Sequence, residues 1–157
     1  MSRFEPWSEE RTVEIVLEHQ ALEGPLMPIL HALQHVFGHV PEEVVPVIAR
    51  ELNLSRAEVH GVVTFYHDFR RELPGKHVLK LCRAEACQSM GCERLVARAE
   101  DRLGVACGGT SADGRVTLEA VYCLGLCATA PSAMLNGRLV GRLDNTRLDQ
   151  LLKEAQA

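Results

Sequence analysis

The chain's reactive side chains are six cysteines: Cys82, Cys87, Cys92, Cys107, Cys123 and Cys127. Two tight pairs stand out, Cys82-x4-Cys87 and Cys123-x3-Cys127. Six cysteines in 157 residues fall short of a disulfide scaffold's density. In a reducing compartment, clustered thiols favour metal or redox chemistry over structural bridges. Four thiolates meeting at one place suit Zn²⁺ or an iron–sulfur cluster. Structural zinc sites mostly use closer C-x2-C knuckles, because one ion needs all its ligands near a single centre. In a [2Fe–2S] cluster each iron takes two cysteines, and loops of three and four residues suit that better. The spacing therefore ranks [2Fe–2S] first and zinc second, with a metal-free reading third.

The ligand count has one ambiguity. Cys87-x4-Cys92 repeats the first spacing, so Cys92 can stand in for Cys82 or Cys87 on counting alone. Cys92 is expected in the first turn of a helix and Cys107 in the loop after it. Both read as apolar fillers, since a four-thiolate set is complete without them. Ala86, Gly91, Gly125, Ala128 and Ala130 leave room for backbone N–H groups to reach inorganic sulfur; tight turns alone account for them equally well. Arg83 and Glu85 read as exposed loop charge.

Positioning these cysteines falls to a short strand before each pair. His77–Leu81 reads as one strand and Arg115–Tyr122 as another, so each pair follows a strand's C-terminal end, where α/β sheets gather ligands. Met90–Leu103 reads as a helix between them, with Leu95, Val96, Ala99 and Leu103 on one face. Asn136-Gly137 between Met134-Leu135 and Leu139-Val140 predicts a hairpin, and a last helix starts near Asn145. The expected order is β-α-β-β-β-α, or one strand fewer if short segments merge.

Before Pro74-Gly75 the pattern is helical. Ser8 is a candidate N-cap, followed by Val13, Val16, Leu17 and Ala21 at helical spacing. Leu26, Ile29, Leu30, Leu33, Val36 and Phe37 form a second stripe closed by Gly38. Pro41 opens a third helix through Val44, Val45, Ile48 and Leu52, with a kink or late start at Pro46. Ser55-x-x-Glu58 is a capping box for a fourth. The expected fold class is α/β (α+β), with a helical domain at 1–74 and a second domain at 75–157.

Several segments together resemble a known family: HGVVTFYHDFR at His60–Arg70, CRAEACQSMG at Cys82–Gly91, VYCLGLCATAP at Val121–Pro131 and NGRLVGRL at Asn136–Leu143. They resemble the thioredoxin-like [2Fe–2S] subunits, which include the small flavin-partner subunit of respiratory complex I. The resemblance covers nearly the whole chain. It implies a helical bundle followed by a thioredoxin-like [2Fe–2S] domain. It also implies one cluster per chain, held by Cys82, Cys87, Cys123 and Cys127. The implied partner is a larger flavoprotein subunit carrying FMN and binding NAD. Cys92 stands where the family commonly has Gly or Ala. The loop RAEACQSMG is most similar to the gamma subunit of cytoplasmic NAD-dependent formate dehydrogenase, which implies a further, molybdenum-containing catalytic subunit. Equivalent subunits of complex I and of NAD-linked hydrogenases are the alternative.

Other chemistries find little support. No GxGxxG, P-loop, C-x-x-C or nucleophile elbow is present, so no complete active site is expected on this chain. A net charge of −4 with no basic stripe excludes nucleic acid as a partner. Gly24–Pro41 and Ala120–Gly137 lack Asp, Glu, Lys and Arg, but prolines, histidines, cysteines and a turn interrupt them, so no membrane span is expected. The charged N-terminus lacks a signal peptide's apolar run, and a cytoplasmic protein is expected. His31, His35 and His39 read as a solvated face. Phe65, Tyr66 and Phe69 read as core packing between the halves, with an interface role second. A zinc-stabilised interaction module and a redox sensor using Cys92 or Cys107 are the readings of a different class.

Overall fold

The computed structural model describes residues 4–157. The chain divides into two compact units, one up to Leu73 and one from Pro74 to Ala157.

The first unit is helical: α1 (Glu9–His19), α2 (Leu26–Phe37), α3 (Val44–Leu52) and α4 (Arg56–Phe65). Ser8 caps α1, its hydroxyl accepting from the Arg11 N–H at 3.1 Å. The buried face of α1 is Thr12, Ile15 and Val16, which corrects the stripe expected through Leu17 and Ala21. Thr12 can be buried because its hydroxyl donates to the Ser8 carbonyl, which removes the cost of desolvation. Leu17 is exposed, and Ala21 lies beyond the helix end. Gly38 closes α2 at φ 78°, a left-handed conformation that glycine adopts without strain. The third helix starts late, at Val44, so Pro46 falls in its first turn, where an N–H has no intrahelical partner anyway. Ser55 and Glu58 form both bonds of the capping box on α4. Phe69 joins this unit's core and stacks near His31, with ring centroids 5.0 Å apart. Phe65 and Tyr66 are exposed, contrary to the expected core role.

The second unit is a four-stranded sheet with helices: β1 (His77–Cys82), α5 (Glu85–Ser89), α6 (Cys92–Leu103), β2 (Val116–Val121), β3 (Ala133–Leu135), β4 (Arg138–Val140) and α7 (Asn145–Gln156). The strand order is β2-β1-β3-β4, with β1 and β2 parallel and the other neighbours antiparallel. The parallel pair is what a helical crossover produces. Leu79, Leu81, Val116, Leu118, Ala133 and Leu135 from the sheet meet Leu95, Val96 and Ala99 of α6 and Leu148, Leu151 and Leu152 of α7. Asn136 and Gly137, at φ 51° and 87°, make the tight hairpin turn between β3 and β4. The helix expected over Met90–Leu103 is α6, which starts at Cys92 after Gly91 at φ 83°; a further helix, α5, precedes it and is too short for a periodic signal.

Candidate metal centre

Strand pairing brings the two cysteine hooks together. In the parallel register Cys82 lies opposite Val121, so the chain leaves both strands at the same sheet edge. Cys82 is the last residue of β1, and Cys123 follows two residues after β2. Cys87 lies on α5 and Cys127 opens a single 3-10 turn, Cys127–Thr129. All six cysteines are unbridged.

The two sides differ in their surroundings. Cys82 and Cys87 are 3% and 2% exposed. Burial opposes ionisation of Cys82, yet its pKa lies below the ordinary thiol value. The amides of Ala84, Cys123 and Leu124 and the Cys87 thiol outweigh burial. Burial pushes the Cys87 thiol up, partly offset by the hydroxyl and amide of Ser132. The Cys87 sulfur lies 3.6 Å from Ser132 Oγ.

Cys123 and Cys127 are exposed, with sulfurs 3.7 Å apart. Hydrogen bonding to Cys123 and its charge push the Cys127 thiol up, and Cys87 and Cys82 are near enough to add to that. Cys123 itself sits at φ 103°, a strained conformation for a residue with a Cβ, of the kind stored at functional sites. The Gly125 N–H, at φ 76°, turns back to the Cys123 sulfur at 3.4 Å. The segment after β4 packs closely over it: Arg142 N–H donates to the Thr129 carbonyl and Leu143 N–H to the Pro131 carbonyl. Gly141 lies so near Thr129 that any Cβ there would overlap its Oγ1.

The donor set fits a dinuclear iron–sulfur group. Two thiolates on one tetrahedral metal at about 2.3 Å stand about 3.8 Å apart, close to the Cys123–Cys127 spacing. Among the described residues no three His, Cys, Asp or Glu side chains converge as ligands of one ion. Amides aimed at sulfur suit a group that carries negative charge.

A model of the thioredoxin-like [2Fe–2S] ferredoxins matches residues 12–156. The chain belongs to the thioredoxin-like [2Fe–2S] ferredoxin family. It is 38% identical over 132 residues to an NADH-quinone oxidoreductase subunit of Rhizobium meliloti, covering 84% of this chain and 79% of that one. It is 33% identical over 132 residues to the HndA subunit of an NADP-reducing hydrogenase of Solidesulfovibrio fructosivorans, covering 84% and 77%. Its fold is similar to part of an NAD⁺-reducing [NiFe]-hydrogenase in the air-oxidised state, with a TM-score of 0.71 and 24% identity. That likeness covers 83% of this chain and only 22% of the hydrogenase chain.

The remaining sequence candidates fall elsewhere. Cys92, the first residue of α6, is buried beside Cys82 and Cys87, and burial raises its pKa. Cys107 is half-buried in the loop after α6. Arg83 is not free loop charge: its guanidinium grips Glu93 in a two-bonded fork, at 2.9 and 2.7 Å. His31 and His35 are exposed on α2, and His39 lies past its end. Among the described residues no helix is long and apolar enough to cross a membrane. Sequence reasoning missed Ser132. Its one available signal was its place after Ala130-Pro131, where the chain turns from the second hook into β3.

Proposed function

We propose that this chain is a one-cluster electron-transfer subunit of an NAD-linked oxidoreductase complex, with Cys82, Cys87, Cys123 and Cys127 as the ligands of one [2Fe–2S] group. The observation that carries the reading is the convergence of two cysteine pairs at the adjoining ends of parallel strands β1 and β2. Bound there, the group supplies one-electron storage between two-electron chemistries. The chain's own contribution is to hold the sulfurs and direct amides at them. We assign the cluster to a domain at 75–157 and a separate role to the helical domain at 1–74. The exposed edge at Cys123 and Cys127, where the adjoining Tyr122 is 71% exposed, faces an FMN-bearing, NAD-binding partner subunit. A cytoplasmic setting suits the reduced cysteines.

The relatives' names favour NADH-quinone oxidoreductase or an NAD(P)-linked hydrogenase as the parent complex. The loop Arg83–Gly91 favours a second reading, the gamma subunit of an NAD-dependent formate dehydrogenase with a molybdenum catalytic subunit. Iron and labile-sulfide analysis with EPR of the anaerobically purified chain tests the cluster; a colourless chain holding one zinc overturns it. Metals in the co-purified complex separate the parents. Molybdenum supports formate oxidation, nickel supports hydrogen oxidation, and quinone-reducing membrane subunits support a complex I type.

A further inference from the structure

One side chain beside the buried sulfurs that no ligand role explains is Ser132. It is 1% exposed, and its hydroxyl lies 3.6 Å from Cys87 Sγ. Its carbonyl is taken by the Cys82 N–H at 3.0 Å, so the same residue fastens β1 and touches both members of the buried pair. No buried side-chain oxygen or nitrogen among the described residues lacks a partner. For the Ser132 hydroxyl that partner is the Cys87 sulfur. A buried hydroxyl that loses its partner destabilises the fold, so the contact is held rather than incidental.

We propose that Ser132 is a positioning and potential-setting residue, its hydroxyl donating a hydrogen bond to the Cys87 thiolate. This rests on Cys87 being a cluster ligand. The direction of the bond follows from that role: a metal-bound thiolate has no proton to give, so the hydroxyl must donate. A donor to ligand sulfur stabilises the more negative, reduced state and raises the reduction potential. The Ser132 amide, also directed at Cys87, fixes the sulfur's direction and survives any change of side chain.

The test uses the full chain, anaerobically purified, as wild type, Ser132→Ala and Ser132→Thr. Iron, sulfide and visible absorption are measured first, then the midpoint potential by spectroelectrochemistry. Ser132→Ala is expected to keep its cluster and to move to a lower potential. At fixed ambient potential its reduced-to-oxidised ratio should fall about tenfold, which is 59 mV for a one-electron couple. Ser132→Thr, which keeps the hydroxyl, is expected to stay near wild type. In deuterated solvent, pulsed EPR should show an exchangeable coupling that Ser132→Ala loses. An unchanged potential in Ser132→Ala overturns the proposal, and so does an equal shift in both variants, which would mark a packing effect. A wild-type chain without iron and sulfide overturns the ligand reading instead, and this inference with it.

Discussion

The two cysteine hooks are chemically alike and physically unlike. Cys82 and Cys87 are sealed among Ala84, Val121, Leu124 and Ala130, and amides from three residues converge on Cys82. Cys123 and Cys127 stand in solvent on a strained turn whose internal hold on sulfur is a single glycine amide. The first hook borrows rigidity from strand β1 and helix α6. The second depends on the close approach of Gly141 and Arg142 to Thr129. With the proposed ligands, the buried side would protect and tune the group, and the exposed side would let an electron partner come near. The difference also separates the causes of failure: the buried hook fails through packing, the exposed one through loop geometry.

The strongest test of that contrast is ligand removal. Cys87→Ala and Cys127→Ala are each expected to abolish the visible cluster spectrum and reduce iron content to background. Only Cys87→Ala should also lower the thermal stability of the metal-free chain, because it alone leaves a cavity, with a cost of about 1–2 kcal/mol. Equal stability of the two metal-free variants would erase the distinction.

Next in size is thiol labelling of the metal-free chain. Cys123 and Cys127 are expected to react more than about tenfold faster than Cys82, Cys87 and Cys92, since buried groups react only through local opening. The lowered pKa of Cys82 works the other way, so a mass-spectrometric time course in which Cys82 is labelled first would show acidity winning over access.

Gly141→Ala addresses the exposed hook alone. The added Cβ meets Thr129, and overpacking of this kind costs about 1–3 kcal/mol. Denaturant unfolding should register that loss, and cluster release on chelation should quicken. Thr129→Ala in the same chain should restore part of both.

The smallest effect is expected at Asp149, which ties α7 to α6 through Arg98 and Arg102. Hydrogen bonding to Arg98 lowers the Asp149 pKa to about 2, against desolvation and with help from Arg102. A folded-state pKa below the unfolded value of about 3.9 stabilises the fold fully above that value. The contribution fades as pH falls through about 2. Asp149→Asn should therefore lower the melting temperature slightly at pH 7 and converge on wild type below pH of about 2, with the cluster spectrum unchanged at neutral pH. A spectral change would mean that the frame and the hooks are coupled.

The amino-acid pattern carried most of the frame. Ser8, Gly38, the Ser55–Glu58 box and Asn136-Gly137 each act within a few residues, so their effect is visible in local order. Hydrophobic periodicity puts the face of α1 one residue out of phase, because a polar Thr12, satisfied by Ser8, occupies a buried position that such a pattern cannot mark. The helix α5 went unseen because five residues hold barely more than one turn. Phe65 and Tyr66 looked like core because aromatic side chains are large and apolar, but which of three neighbouring rings turns inward is set by α2.

Spacing alone marked the four cysteines as two pairs, and the strands before them as their supports, because covalent connectivity limits how far a short loop can reach. Only the tertiary structure decided which pair is buried, that β3 runs antiparallel beside β1, that Ser132 faces Cys87 and that Gly141 closes on Thr129. Those relations join residues remote in the chain. They arise when apolar faces of separate elements seek the same core, and no local pattern encodes the pairing.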